Sequence, residues 1–491
     1  MVTMTTTAWW SDLLNDDLAA NVFSFACGDY GFVYDVNTNS LHGLDQAALQ
    51  VLEALVACGG NGDKAREQLQ AAGALEKSVI DEVLEELGAL KAAGLLFTKD
   101  LWREQFLPAG TAVAEDVVAG LTKEAGTPLV KAMCLHIAHD CNLRCTYCFA
   151  GTGPFGGDRS MMSEEVGRQA IDFLMTHSQG RRHVEIDFFG GEPLMNLDVV
   201  RALVRYAKEK AREYNKILKL TLTTNGVLLD EEAGRFLNEE GLSVVLSLDG
   251  RREVHDRMRP YVDGTGSYNE VLPNLQAFVE SRGHRDYYVR GTFTRENLDF
   301  AADVLHMHDC GFRELSVEPV VGDPGEDYAL REEDLAAMDK AYRQLAEEIL
   351  ARRAAGQPMR FFHFELDLAH GPCLAKRLSG CGAGSEYMAV APNGDLYPCH
   401  QFVGQEAYRL GSVTEGVQRP ALSRQFAEAH IYHKQDCPTC WARFLCSGGC
   451  HANNAGANGD LLIPARGSCA LAKMRLKWAL YAKVLEGATE R

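Results

Sequence analysis

Three cysteines, Cys141-x3-Cys145-x2-Cys148, are crowded onto one short stretch of chain. Three thiolates on a tight loop reach three corners of an iron–sulfur cube, and no fourth cysteine lies near in sequence. Such sites ordinarily take four protein ligands, so three leave one iron open. An open position marks a catalytic metal centre more than a structural one. Zinc with His136 or His139 as fourth ligand is the alternative, although zinc favours paired C-x2-C spacing. A second grouping lies downstream: Cys381-x12-Gly394-x4-Cys399, then Cys437-x2-Cys440-x5-Cys446-x3-Cys450, then Cys469, with Cys373 just ahead. Thiolate quartets also accept zinc, which leaves two zinc sites as the plain reading there. Cys27, Cys58, Cys134 and Cys310 are isolated and read as small buried residues.

Elements must hold those loops. From Lys131 the sequence alternates strand and helix, with strands expected at Ala132–Ile137, Val184–Phe189, Leu218–Thr223, Ser243–Leu248, Tyr287–Thr294 and Leu315–Pro319. Helices are expected between them, at Ser163–His177, Asp198–Tyr214, Glu231–Asn238 and Asn297–His308. Six such units predict an α/β fold with a parallel sheet, closed or partly closed, and chemistry on the loops after the strands. Cys141 follows the first of those strands directly. Before this core, strands at Phe23–Cys27 and Gly31–Asp35, helices at Asp45–Cys58, Asp63–Ala72 and Lys77–Ala93, and a closing strand at Gly94–Phe97 read as a small α/β unit. Residues 108–128 suit a linker. Glu332–Leu350 is helical, and Asn393-Gly394 marks a hairpin between Glu386–Ala391 and Asp395–Tyr397. The last part, rich in Cys and Gly, reads as held by metal more than by a large core.

The chain has 491 residues, which favours two to four domains. A formal charge of −19, from 49 basic and 68 acidic residues, argues against nucleic acid or an anionic membrane as main partner. No secretory signal or membrane-spanning stretch is visible, so a cytoplasmic protein is expected. In that compartment fifteen cysteines call for metal or redox chemistry before disulfides.

The loop Cys141-Asn-Leu-Arg-Cys145-Thr-Tyr147-Cys148 resembles the CxxxCxΦC signature of radical SAM enzymes, in which a [4Fe–4S] cluster cleaves S-adenosylmethionine reductively. Gly190-Gly191-Glu192-Pro193, after the second strand, resembles the family's segment for the methionyl amino group. Ser247-Leu-Asp249-Gly250 resembles its segment near the ribose and carboxylate. Arg290 on the fifth strand is a further candidate for that carboxylate. The downstream cysteines resemble an SPASM domain with two auxiliary [4Fe–4S] clusters, making three in all. The resemblance implies Cys437, Cys440, Cys446 and Cys469 on one, and Cys381, Cys399 and Cys450 on the other. Cys373 is then a fourth ligand, or an iron is left open to a substrate thiolate.

His136–Cys141, Phe149–Gly157, Cys381–Tyr387 and Tyr397–Phe402, with the N-terminal unit, resemble maturases of Cys-rich SCIFF peptides. That likeness implies a partial (β/α)6 TIM-like barrel at 129–358 and an SPASM domain at 359–491. Residues 1–107 would form a winged-helix-like RiPP recognition element that takes a precursor's leader peptide as an added strand. It also implies thioether formation between a peptide cysteine and an acceptor carbon, with reduced flavodoxin or ferredoxin as electron donor. In anaerobic sulfatase maturases an Asp follows the second SPASM cysteine; this chain has His400. The competing expectations are a maturase joining Cys to Asp or Glu in a quinohemoprotein amine dehydrogenase subunit, and a non-catalytic zinc-containing peptide-binding scaffold.

Overall fold

The computed structural model describes residues 8–14, 17–106, 122–123, 127–322, 325–371 and 373–489. Most of the expected linker lies outside these residues.

After short helical segments at Trp9–Leu13 and Leu18–Asn21, the chain forms an antiparallel sheet, β1 (Val22–Cys27), β2 (Tyr30–Asp35) and β3 (Leu41–Leu44), paired in that order. Three helices follow, α1 (Gln46–Ala57), α2 (Gly62–Ala71) and α3 (Lys77–Ala92). Asp45 and Asn61 start the first two by accepting the Ala48 and Lys64 amides at 2.7 and 3.0 Å, which satisfies otherwise orphaned donors. The three helices pack on Val33, Leu52, Leu55, Leu84 and Leu87 in a core of their own. Gly94–Phe97 is not the closing strand that the sequence suggests. Gly94 and Phe97 both take positive φ, at +69° and +58°, so the segment turns and seats Leu96 and Phe97 as plugs in this core. The third strand is Leu41–Leu44, whose Gly43 hides it from strand propensity.

Among the described residues the large sheet has eleven strands. Its centre is β4 (Ala132–Ala138), β5 (His183–Gly190), β6 (Ile217–Thr224), β7 (Ser243–Ser247), β8 (Tyr287–Phe293) and β9 (Glu314–Pro319), all parallel and paired in chain order. The two-residue β10 (Arg360–Phe361) adds to β9. Helices α4 (Glu164–His177), α5 (Leu197–Glu213), α6 (Glu231–Glu239), α7 (Tyr268–Ser281), α8 (Phe300–Asp309) and α9 (Leu335–Ala354) intervene. They bury one face of the sheet, where Ile186, Phe188, Leu222, Leu246, Val289 and Val317 meet Leu203, Val271, Val304 and Leu345. The opposite face is polar, carrying Asp187, Thr221, Ser247, Arg290 and Glu318 at alternate positions.

The C-terminal region does not rest on metal alone. Its strand β11 (Tyr387–Val390) pairs parallel with β4, with Ala389 opposite Cys134. β12 (Asp395–Tyr397), β13 (Gly411–Ser412) and β14 (Gly416–Val417) continue antiparallel. Met388, Val390, Leu396, Phe402, Phe426 and Trp478 join the central core. The expectation of a metal-held lobe fails because this strand extends the sheet and shares its apolar face. The final helix, α10 (Arg466–Thr489), lies on α9, where Trp478 Nε1 donates to Asp339 at 2.8 Å.

The N-terminal unit is fastened to this region by Arg443, a fully buried guanidinium (1% exposed). It donates to Ala20 O, Asn21 Oδ1 and Asn37 Oδ1 at 2.6–2.8 Å and pairs with Asp100 at 3.1 Å. Phe23 stacks flat on Trp441, ring centres 3.7 Å apart. No helix among the described residues is long and apolar enough to cross a membrane.

Candidate functional site

The loop after β4 carries Cys141, Cys145 and Cys148, mutually within electrostatic reach. The segment 258–261 holds it from outside: Arg144 N–H donates to Pro260 O at 2.8 Å and Thr146 N–H to Met258 O at 3.0 Å. Within it, the Leu143 amide and Asn225 Nδ2 point at Cys141 Sγ, at 3.4 and 3.6 Å. Burial pushes the Cys141 thiol up to about 11 and the Cys145 thiol to about 12. Thiols this far from water become ligands when a cation compensates the thiolate.

Glycines set the next wall. A Cβ on Gly191 would meet Asp140 O at 2.0 Å, and one on Gly190 would meet Ala138 O at 2.3 Å. Only glycines let the end of β5 pass this close to the cysteine loop. Glu192 is wholly buried, and its carboxylate accepts from Leu194 N, Thr224 Oγ1 and Asn225 N at 3.0, 2.9 and 2.7 Å. It thus braces the ends of β5 and β6 together. Burial, opposed by those donors, raises its carboxyl to about 7. The sequence left Thr224 and Asn225 unmarked, although an Asn-Gly turn after a strand is their signal.

Asp249 is likewise engaged. It holds Arg259 in a two-pronged ion pair at 2.9 and 3.0 Å and accepts from Tyr147 O–H at 2.6 Å and Thr292 N–H at 2.9 Å. Tyr147 and Asp249, far apart in sequence, meet around an arginine that no motif singled out. Ser247 stands opposite Arg290 in the β7–β8 ladder, and Arg290 is exposed on the polar face. Burial opposes ionisation of Glu318, yet His363 at 2.9 Å, with Arg290 and Arg475, brings it down to about 2.

His136 and His139 share a hydrogen bond at 3.1 Å, and the His136 ring nitrogen Nε2 is buried without a hydrogen-bond partner among the described residues. Burial lowers His136, and His139 to about 4. His400 is not a surface residue: its ring packs on Phe149 and Phe189, centroids 5.6 and 5.1 Å away, and burial brings it to about 4. This aromatic wall joins the first cysteine loop to the second cysteine region.

That region holds two more thiol groups. Cys399 lies within reach of Cys450 and Cys381, and of Cys134 on the sheet. Cys437, Cys440, Cys446 and Cys469 form the other group. Cys373 is exposed at the start of the short helix Leu374–Ser379. Among the described residues no three His, Cys, Asp or Glu side chains converge on a single-ion site. Groups made only of thiols, with Cys399 and Cys437 buried, Cys381 exposed and the rest half-buried, fit iron–sulfur clusters by their donor chemistry.

A family model described as the radical SAM superfamily matches residues 135–299. Another, SPASM, described as an iron–sulfur cluster-binding domain, matches residues 381–441. The chain carries a radical SAM domain followed by an SPASM domain.

This radical SAM/SPASM chain is 25% identical over 338 residues to the cysteine-type anaerobic sulfatase-maturating enzyme of Clostridium novyi, covering 64% of this chain and 86% of the relative. It is 25% identical over 355 residues to the serine-type enzyme of Klebsiella aerogenes, covering 66% and 84%. A 136-residue stretch is 38% identical to the Fe-coproporphyrin III synthase of Methanosarcina barkeri, covering 28% of this chain and 30% of that one. The solved structure of native anSMEcpe with bound AdoMet and Kp18Cys peptide superposes with a TM-score of 0.61, 20% identity, and coverage of 73% and 99%. That likeness establishes the shared fold.

Proposed function

We propose that this protein is a peptide maturase that joins the sulfur of a cysteine, in a Cys-rich precursor peptide, to a carbon of another residue. It is closest in kind to the SCIFF maturases. The observation that carries the reading is the second thiol group, in which Cys381, Cys399 and Cys450 gather near one another, with the buried Cys134 of the sheet beside Cys399 and Cys373 exposed. A three-thiol set leaves room for a substrate thiolate on the metal, which would fix the sulfur and lower its pKa. The sequence likeness to sulfatase-maturating enzymes supports a peptide substrate with a reactive cysteine.

In this reading residues 1–107 bind the leader, 108–128 link, 129–358 form a partial (β/α)6 barrel, and 359–491 form the SPASM domain. Cys141, Cys145 and Cys148 hold one [4Fe–4S] cluster, Cys381, Cys399 and Cys450 a second, and Cys437, Cys440, Cys446 and Cys469 a third. When bound, S-adenosylmethionine and the first cluster supply a hydrogen-abstracting radical. Gly190 and Gly191 expose backbone to the cofactor, while Glu192, Tyr147 and Asp249 keep their loops in place. Ser247 and Arg290 would be the residues that meet its polar groups. Phe149, Phe189 and His400 keep water from the space between the first and second thiol groups. Reduced flavodoxin or ferredoxin delivers electrons. The thioether would form as the radical takes one hydrogen atom from the acceptor C–H, the cysteine S–H gives its proton to solvent, one C–S bond is made and the one surplus electron passes to an auxiliary cluster, so the peptide gives up two hydrogens.

The test is co-expression with a leader-bearing Cys-rich peptide, followed by mass spectrometry. Loss of two hydrogens per event is expected, with the modified cysteine refractory to thiol alkylation. A peptide whose cysteines all remain alkylatable would exclude thioether formation.

A further inference from the structure

Lysine is almost never fully buried unless paired, yet Lys434 is 1% exposed. No carboxylate pairs with it among the described residues; its Nζ donates to the Gly448 carbonyl at 2.8 Å. An ammonium has three N–H donors, so one carbonyl does not account for burying it. The surroundings do. Lys434 lies along the Gly448-Gly449 turn so closely that a Cβ on Gly448 would meet its Cδ at 2.8 Å and its Nζ at 3.1 Å. Both glycines have left-handed φ, +79° and +71°, which reverses the chain between Cys446 and Cys450. Those two cysteines belong to different thiol groups. The side chain therefore sits where the two groups approach each other, with Cys437 and Cys446 of one and Cys450 and Cys381 of the other all in reach.

We propose that the Lys434 ammonium is a shared counter-charge for the two SPASM centres, which sets the reduction potential of both. The inference rests on reading the two thiol groups as cluster sites. A cluster with thiolate ligands is an anion that becomes more negative on reduction. A fixed positive charge nearby, in a medium that screens poorly, favours the reduced form. Placed between two such anions, one ammonium acts on both and offsets their mutual repulsion. A positioning role of this kind differs from that of a strap holding the turn, because only the charge moves a potential.

The test is an anaerobic redox titration of the reconstituted full-length protein, followed by electron paramagnetic resonance, for the unsubstituted chain, Lys434→Gln and Lys434→Arg. Iron and sulfide content of the unsubstituted protein checks the cluster reading separately: absence of auxiliary clusters there defeats that reading before any variant is compared. In Lys434→Gln the reduced-to-oxidised ratio of both SPASM centres at a fixed potential is expected to fall about tenfold, equivalent to about 59 mV for one electron. Lys434→Arg stays near the unsubstituted protein, and the centre on Cys141, Cys145 and Cys148 is unmoved. A shift in only one SPASM centre, no shift, or an equal shift in the arginine variant overturns the proposal. If Lys434→Gln loses auxiliary iron, full iron in Lys434→Arg supports the counter-charge, and equal loss in both overturns it.

Discussion

Replacing Arg259 by leucine isolates how the first cysteine loop is kept in place. The guanidinium meets both oxygens of Asp249, at 2.9 and 3.0 Å, and the two side chains are 11% and 0% exposed. With Arg259 gone, a fully buried carboxylate keeps, among the described residues, Tyr147 O–H and Thr292 N–H as partners. Breaking a buried pair by removing one member costs about 3–5 kcal/mol, because an uncompensated charge remains. The cost falls on the segment that carries Met258 and Pro260, whose carbonyls hold the Thr146 and Arg144 amides. Those two amides should therefore exchange with solvent about 150-fold to 5,000-fold faster, limited by global unfolding. Hydrogen exchange read by mass spectrometry resolves the 141–148 peptide, at equal iron loading in both proteins. Asp249→Asn combined with Arg259→Leu removes both charges, and its effect should be much smaller than the sum of the singles. Unchanged exchange at 144 and 146 in Arg259→Leu, or simple additivity in the double variant, would refute the reasoning.

Three further outcomes are expected. Gly191→Ala must push the end of β5 off Asp140 O, so S-adenosylmethionine binding by equilibrium dialysis should fall more than tenfold, while Gly180→Ala, with nothing within 4 Å, leaves it intact. Burial raises the Asp187 carboxyl to about 7 against an ordinary 3.8. The folded protein thus holds the extra proton across that window, and the stability this adds at pH 4 is lost as pH rises to about 7. Asp187→Asn should flatten that decline, at most about 1.4 kcal/mol per pH unit, as read from urea midpoints. Arg443→Leu strands Asp100 and releases Asn21 and Asn37, so limited proteolysis should free the N-terminal unit at protease levels that leave the unsubstituted chain whole.

Periodicity located all six central strands because each sets apolar residues at alternate positions, as in Met133, Leu135 and Ile137 or Leu218, Leu220 and Leu222. It missed Leu41–Leu44, where Gly43 breaks the pattern, and misread Gly94–Phe97, where apolar residues fill a core without pairing. Within the site, cysteine spacing marked the ligands, since only a few thiol patterns suit clusters. Arg259, Asn225 and Lys434 were invisible for a different reason. Each acts through a partner distant in sequence or across a turn, and an isolated arginine, asparagine or lysine carries no local signature. His400 shows the same limit from the other side: its position was noticed, but its burial against Phe149 and Phe189 follows only from packing.

The pairing of β11 with β4 has a consequence for dissecting the molecule. The strand that leads into Cys141 is interior to the sheet only because a later part of the chain covers its flank. Cutting the chain ahead of Cys381 would leave the amide and carbonyl groups of Ala132–Leu135 unpaired along an apolar edge, the kind of surface on which strands of other molecules add. A shortened chain bearing only the first cysteine loop is therefore expected to associate or precipitate. The two cysteine regions are separable on paper by residue number, but in folding they form one unit.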